Sequence, residues 1–128
     1  MADYSSDWAQ RIEHLEAGYE FMLAYAAQGQ AHDDPSGEGS QIRAFLENMQ
    51  EALDGLGESA EQVAKLNGLQ DSESFVEALK DDAKKAHSGI VLVLGKPAIS
   101  SQLVDNLNAS IHLRTLLTDL FLLDEALK

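Results

Sequence analysis

The sequence contains no cysteine, and this absence excludes several kinds of site at once. Without thiols the chain has no disulfide framework, no cysteine nucleophile and no cysteine-ligated metal. No apolar run reaches the roughly 20 residues that a bilayer-spanning helix needs, and the N-terminus lacks the basic and apolar regions of a secretory signal. We therefore expect one domain covering residues 1–128, located in the cytoplasm and without membrane contact.

Basic residues are scarce in the first half of the chain. Residues 1–64 contain 13 of the 22 acidic side chains but only two bases, Arg11 and Arg43, so this half carries −11 of the total charge of −13. Such a surface repels phosphate backbones, and we expect no direct binding to nucleic acid. It would attract a basic protein surface, or simply keep the protein in solution.

Strand-like alternation of apolar and polar residues is also missing, apart from one ambiguous run. Helical spacing of apolar residues predicts four long helices, at about 7–30, 41–56, 72–95 and 98–127, and a short helix at about 60–66. The run 89–95 is β-branched and bounded by glycines, as in a buried strand, but the apolar stripe from Phe75 passes through it in phase, which favours a helix. The pattern predicts an all-α fold, an antiparallel four-helix bundle with a short extra helix between helices 2 and 3.

Local signals position the predicted helix ends. Ser5 or Ser6 is placed to cap the first helix, with Asp7 in its first turn. Gly55 and Gly57 are expected to end the second helix. Ser59 with Gln62 has the spacing of a capping box for the short helix.

The last predicted helix is apolar on more than one side. On a helical wheel one broad face fits the bundle core, and it consists of Leu113, Leu116, Leu117, Leu120, Phe121, Leu123 and Leu127. Ile111 and Leu122 lie on the opposite side, beside Arg114 and Thr118. We interpret these four residues as a candidate subunit interface of a homodimer. The alternative is that the two apolar side chains are simply exposed, which is common.

No catalytic pattern is recognisable. The chain has no G-x-S-x-G elbow, no Glu-x-x-His pair of a di-iron bundle and no His-Glu-x-x-His zinc helix. Residues 55–60 match the dinucleotide pattern G-x-G-x-x-A, but they follow a helix where that motif requires a strand. We predict no catalytic residue, no cofactor and no bound metal. His112 and Asp119 share a narrow polar stripe on the last helix, and together with Tyr19 they form a candidate polar site, either a structural contact or part of a ligand site.

Three functions fit these patterns. The first is a small acidic protein-interaction module, such as an adaptor, chaperone or regulator, that self-associates. The second is a ligand- or metal-binding helical bundle with an enzymatic or sensory role. The third is a DNA-mimic inhibitor whose acidic side chains imitate phosphates and occupy a basic nucleic-acid-binding protein.

Overall fold

The chain is helical throughout the part that its computed structural model describes, residues 4–33 and 38–128. These residues form six α-helices and no β-strand: α1 (Tyr4–Ala26), α2 (Glu38–Leu53), α3 (Leu56–Leu66), α4 (Glu73–Leu94), α5 (Ser101–Ala109) and α6 (His112–Ala126). The all-α prediction is confirmed. The ambiguous run 89–95 continues α4 as a helix up to Leu94, as its in-phase apolar stripe indicated.

The two longest helices, α1 and α4, lie on opposite sides of the core. Within the described residues they do not contact each other, whereas each of them contacts α2, α3, α5 and α6. The α2–α3 and α5–α6 pairs therefore separate α1 from α4. Buried side chains from all six helices form one continuous apolar cluster between these elements.

Three hydrogen bonds show that the α5–α6 segment runs antiparallel to α1. The Tyr25 hydroxyl donates to the Ile99 carbonyl (2.6 Å) just before α5, and the Tyr19 hydroxyl donates to Asn108 Oδ1 (2.7 Å) near its end. The Trp8 indole N–H donates to Asp124 Oδ1 (3.1 Å) at the end of α6. Tyr25 is fully buried, and its hydroxyl satisfies its hydrogen-bonding capacity at the Ile99 carbonyl.

Several predicted boundaries of the first three helices are wrong. Helix α1 begins at Tyr4, so Ser5 and Ser6 lie inside it, and it ends at Ala26 before a turn with Gly29 at φ +69°. Helix α2 ends at Leu53. Ser59 is buried within α3 and caps nothing, because Gly55 at φ +86° turns the chain and α3 begins at Leu56. A left-handed glycine between two helices ends the first and starts the second without a side-chain cap.

The predicted single helix 98–127 is also wrong, because the chain breaks it in two. Ser100 caps α5 by accepting a hydrogen bond from the Leu103 amide, and α5 ends at Ala109. Ile111 adopts φ +63° and starts α6. A left-handed residue after a helix is usually glycine. Here the position carries isoleucine, so the sequence contains no glycine or proline to mark the break.

Arg11 and Arg43 bind the C-terminal ends of neighbouring helices. Arg11 Nη1 donates to the carbonyls of Ala52 (2.9 Å) and Asp54 (2.6 Å), while its Nε pairs with Asp7 (2.8 Å). The carbonyls at a helix C-terminus lack intrahelical donors and carry partial negative charge, so a guanidinium satisfies both needs. The bond from Arg11 lowers the pKa of Asp7.

Arg43 has the same role at the end of α4. It donates to the carbonyls of Leu94 (3.2 Å) and Lys96 (3.1 Å) and pairs with Asp33 (3.0 Å), which also accepts the Ile99 amide (2.7 Å). Burial by itself would raise the pKa of Asp33, but these bonds outweigh it and lower that pKa. The only two bases of the acidic first half are therefore structural.

Candidate interaction site

Most of the exposed apolar surface lies in the second half of the chain. Among the described residues, the exposed large apolar side chains are Leu23, Leu66, Val91, Leu92, Ile111, Phe121 and Leu122. Five of these seven belong to the end of α4, to α6 or to the junction before α6. Apolar side chains that cluster on a surface mark contact sites more often than scattered ones do.

The α6 outer face, defined as Arg114, Thr118, Phe121 and Leu122, is exposed along its whole length. Leu122 is 58% exposed, and Ile111 at the start of the helix is 51% exposed. Phe121 was predicted to be buried and is 47% exposed, which corrects that assignment. Helix α6 buries the stripe Leu113, Leu116, Leu117, Leu120 and Leu123 against α4 and α1. Phe121 lies beyond the edge of this stripe. The proposed interface residues are thus accessible, and their contact with a second subunit stays a prediction.

Ile111 combines exposure with backbone strain. Its φ of +63° is in the left-handed region, which β-branched residues rarely adopt. Its amide donates to the Asn108 carbonyl, and its own carbonyl accepts from Thr115 at the start of α6. The surrounding helices therefore hold a conformation that glycine or asparagine would adopt at lower cost. Strain of this kind is a reason to look for a function at the residue.

Asp119 of the candidate polar site faces Asp82 of α4. Asp119 Oδ2 is buried and accepts a hydrogen bond from no donor in the described part of the chain, and neither carboxyl forms an ion pair there. Burial raises the pKa of Asp119 to about 7, and the neighbouring Asp82 contributes through a hydrogen bond and charge repulsion. Two carboxylates offer only acceptors, so their hydrogen bond requires a proton. The pair therefore takes up a proton as the pH falls below about 7.

The other two residues of the candidate polar site have separate surroundings. The Tyr19 hydroxyl is bound to Asn108, and His112 lines a groove between α4 and α5. The three side chains therefore have different neighbours. Tyr19 contacts α5, His112 lines the groove and Asp119 lies beside Asp82 of α4. Tyr19 and Asp119 make contacts between helices, while His112 is accessible to a binding partner.

That groove, the α4–α5 groove, has a volume of about 650 Å³. Its floor is apolar and consists of Gly89, Val93, Leu103 and Leu107, and the exposed Leu92 lies at its edge. Its rim is polar and consists of Asp81, Lys84, Lys85, Ser88, Asn106, Ser110 and His112. The sequence patterns did not indicate this groove. The available signal was Lys85, which lies one helical turn before Gly89 on the same face of α4.

Two of the unpaired bases of the described residues line this groove. Among the described residues four basic side chains form no ion pair, and they are Lys84, Lys85, Lys96 and Arg114. The first two line the groove, while Lys96 and Arg114 follow its lining residues Val93 and His112 by three and two positions. The groove is therefore one region of this acidic protein where unpaired positive charge is available to a partner.

Acidic side chains line a different depression, between α1 and the end of α6. Glu13, Glu16 and Glu20 of α1 and Asp124 of α6 surround it, with Ile12 among the apolar residues beneath. Helical geometry spaces the three glutamates by about 5–6 Å along the axis. The arrangement adds to the repulsion of polyanions from this side of the protein.

In the part of the chain that the structure covers, no three histidine, aspartate or glutamate side chains approach closely enough to hold a metal ion. None of the described helices combines the length and apolarity needed to cross a membrane. No family model, curated protein or solved structure matches the chain.

Proposed function

We propose that this protein is a helical protein-interaction module that self-associates through the α6 outer face. The observation that supports this proposal best is the adjacent exposure of Phe121 and Leu122 beside Arg114, a base without an ion pair among the described residues. Removing two large apolar side chains from water supplies a driving force, and the unpaired guanidinium supplies specificity.

A second copy of the chain is the partner that fits this face. The positions 114, 118, 121 and 125 are spaced by four, three and four residues, which is the seam of two packed helices. When two α6 helices pair antiparallel about a two-fold axis with Phe121 opposite Thr118, Arg114 falls opposite Glu125 of the second copy. Glu125 is exposed and forms only an i,i+3 pair with Lys128. The same face therefore complements itself in charge and in apolar character, as a two-fold interface requires.

The six helices would present this face on a stable scaffold. We infer an antiparallel four-helix bundle in which α1 and α4 are two opposite corners, while α2–α3 and α5–α6 are the other two. The hydrogen bonds from Tyr25, Tyr19 and Trp8 and the separation of α1 from α4 support this arrangement. A contact made by one 15-residue helix is small, so self-association should depend on concentration in the micromolar range, about 10 µM or weaker.

Sedimentation velocity across a concentration series tests the proposal. The wild-type protein should shift from monomer to dimer as concentration rises. Leu122→Glu should remain monomeric, because it would bury a charge in the contact. Leu66→Glu is the matched control, since Leu66 is a similarly exposed leucine (63%) at the end of α3, and it should dimerise like the wild type.

A charge exchange tests the register. Arg114→Glu places acid against acid and should weaken the dimer several-fold, and the additional change Glu125→Arg should restore it. The proposal fails if the wild-type protein stays monomeric at every concentration. It also fails if Leu122→Glu and Leu66→Glu sediment alike.

A further inference from the structure

We propose that the α4–α5 groove is a second binding site, which takes an acidic amphipathic helix of another protein. This goes beyond self-association, because the groove is formed by α4, α5 and the start of α6 and includes none of the α6 outer face. Three observations support the proposal: the apolar floor, the unpaired lysines on the rim and the close approach of the two helices at Gly89.

Gly89 shapes the floor of the groove. A Cβ atom at this position would lie 2.9 Å from Leu107 Cδ1, so a larger residue would displace the Leu107 side chain that packs against Gly89. Leu107 is buried in this contact, whereas Leu92, one helical turn after Ser88, is 71% exposed at the edge of the groove. A helix that lay in the groove would cover Leu92, which is the most exposed large apolar side chain of the described residues.

The charge of the rim selects an acidic occupant. Lys84 and Lys85 are exposed and unpaired, and His112 faces them from the start of α6. Asp81 is the only acid among the lining residues. In a protein of net charge −13, a site with a surplus of base repels acidic partners less than the acidic surfaces do, and it attracts them at short range. Carboxylates on both sides of an apolar stripe would pair with this rim.

The length and openness of the groove favour a helix over a small ligand. The α4 residues that line it run from Asp81 to Val93, which corresponds to roughly 18 Å of helix. The groove is open along this length, whereas small-molecule sites enclose most of the ligand surface. A third helix can lie between two packed helices and insert apolar anchors at i, i+3 or i+4, and i+7.

Fluorescence anisotropy with a synthetic peptide tests the proposal on the full-length protein. The probe is a labelled amphipathic helix of about 16 residues, with leucine anchors on one face and glutamates on both sides of them. A second peptide keeps the leucines and replaces every glutamate by lysine. The glutamate peptide should bind, the lysine peptide should bind at least about tenfold more weakly, and added salt should reduce the difference.

Variants assign the binding to the groove. Leu92→Glu should weaken the glutamate peptide by about tenfold or more, since it removes the exposed apolar edge. Lys84→Glu with Lys85→Glu should reverse the preference between the two peptides. Lys128→Glu, which changes a lysine at the end of the chain, is the matched control and should bind like the wild type. Circular dichroism should be unchanged in all variants, because these side chains are exposed.

Amide NMR spectra give a readout that does not depend on the variants. Titration with the glutamate peptide should shift the amides of Gly89, Ser110 and His112 more than those of α3. Absence of glutamate-peptide binding, or equal binding of the two peptides, overturns the proposal.

A second probe, dodecanoate, tests whether the groove binds small anionic amphiphiles instead. If dodecanoate shifts the amides of the groove and the glutamate peptide does not, the proposal is also overturned. The variant Leu122→Glu distinguishes the two proposals. If it is monomeric and still binds the glutamate peptide, the groove is a site separate from the α6 outer face. Peptide binding by a wild-type protein that stays monomeric would likewise support the groove while self-association fails.

Discussion

The two halves of the chain use their basic side chains in opposite ways. In the first half, Arg11 and Arg43 each bind one carboxylate and at least two backbone carbonyls, and they join helix ends. In the second half, Lys84, Lys85, Lys96 and Arg114 form no ion pair within the described residues. Bases that hold the fold together are unavailable to a partner. The second half is therefore the side of the molecule to search for binding.

The backbone shows the same contrast. In the first half, the left-handed positions among the described residues are occupied by Gly29 and Gly55, which adopt them at low cost. In the second half, Gly68 and Asp71 also occupy such positions, but so does Ile111, although its side chain is exposed and gains little from packing. Local preference and structure agree at the glycines and conflict at Ile111. Conflicts of this kind are expected where a sequence also serves a function.

The largest expected effect on stability is that of Arg43→Ala. This substitution removes the pair with Asp33 and the hydrogen bonds to the Leu94, Lys96 and Pro97 carbonyls, and it leaves Asp33 with backbone amide donors only. We expect a loss of about 2 kcal/mol in the free energy of unfolding at pH 7, measured by urea denaturation. Lys96→Ala, the matched control among the unpaired bases, should change it by less than about 0.5 kcal/mol.

The pH dependence of the Arg43 effect has a definite sign. Because the pKa of Asp33 lies below its ordinary 3.8 in the folded protein, the pair stabilises the fold above pH 3.8 and loses this contribution as the pH falls through the folded value. The difference between the wild type and Arg43→Ala should therefore shrink in strong acid. Equal stability of the two proteins at pH 7 would contradict the structural role of Arg43.

The second-largest expected effect on stability is that of Asp119→Asn, which should raise the free energy of unfolding. The pKa of Asp119 rises from 3.8 to about 7 on folding, so the wild-type protein loses stability between about pH 4 and pH 7, and the deficit remains above pH 7. A shift of this size corresponds to about 4 kcal/mol at most, and solvent screening of a partly exposed pair reduces it to roughly 1–2 kcal/mol. Thermal and urea unfolding of both proteins at pH 4.5 and pH 8 measure the effect.

Two further variants show whether the pair causes this dependence. Asp82→Asn should produce a smaller gain at pH 8, because it removes the charge repulsion within the pair but leaves Asp119 buried. Asp105→Asn changes an exposed aspartate of α5 and should leave the pH dependence as in the wild type. A wild-type stability that rises steadily from pH 4.5 to pH 8 would disprove the shared proton.

Ile111→Gly should have the smallest effect on stability, and it also tests whether Ile111 takes part in self-association. Relief of the left-handed strain should raise the free energy of unfolding by about 1 kcal/mol or less, because glycine also increases the entropy of the unfolded chain. The same change removes an exposed apolar side chain beside the α6 outer face and should weaken self-association. A variant that is more stable but dimerises less would show that the strain serves the interface. Unchanged dimerisation would remove Ile111 from it.

The sequence predicted the class of fold and most of the buried face of each helix. The regularly spaced apolar residues of α1 are buried, and they include Trp8, Ile12, Leu15 and Met22. Those of α2, which packs against α1, are buried as well and include Ile42, Leu46 and Met49. It also indicated that Ile111 and Leu122 would be accessible. It did not predict the break before α6, because Ile111 occupies a position that glycine normally marks. Phe121 was assigned to the core because it lies next to Leu117 on the helical wheel, but it falls beyond the edge of the buried stripe.

Apolar spacing along the chain determined by itself that this protein is helical and which side of each helix is buried, because that information repeats every three to four residues. Charge counting determined that the first half is acidic. Only the tertiary structure decided that Arg11 and Arg43 bind helix ends, that Asp82 meets Asp119, and that Lys84 and Lys85 face His112 across a groove. The bond from Arg11 to Ala52 spans 41 positions of the chain, and that from Arg43 to Lys96 spans 53. No local pattern encodes such pairings, since they depend on how the helices pack.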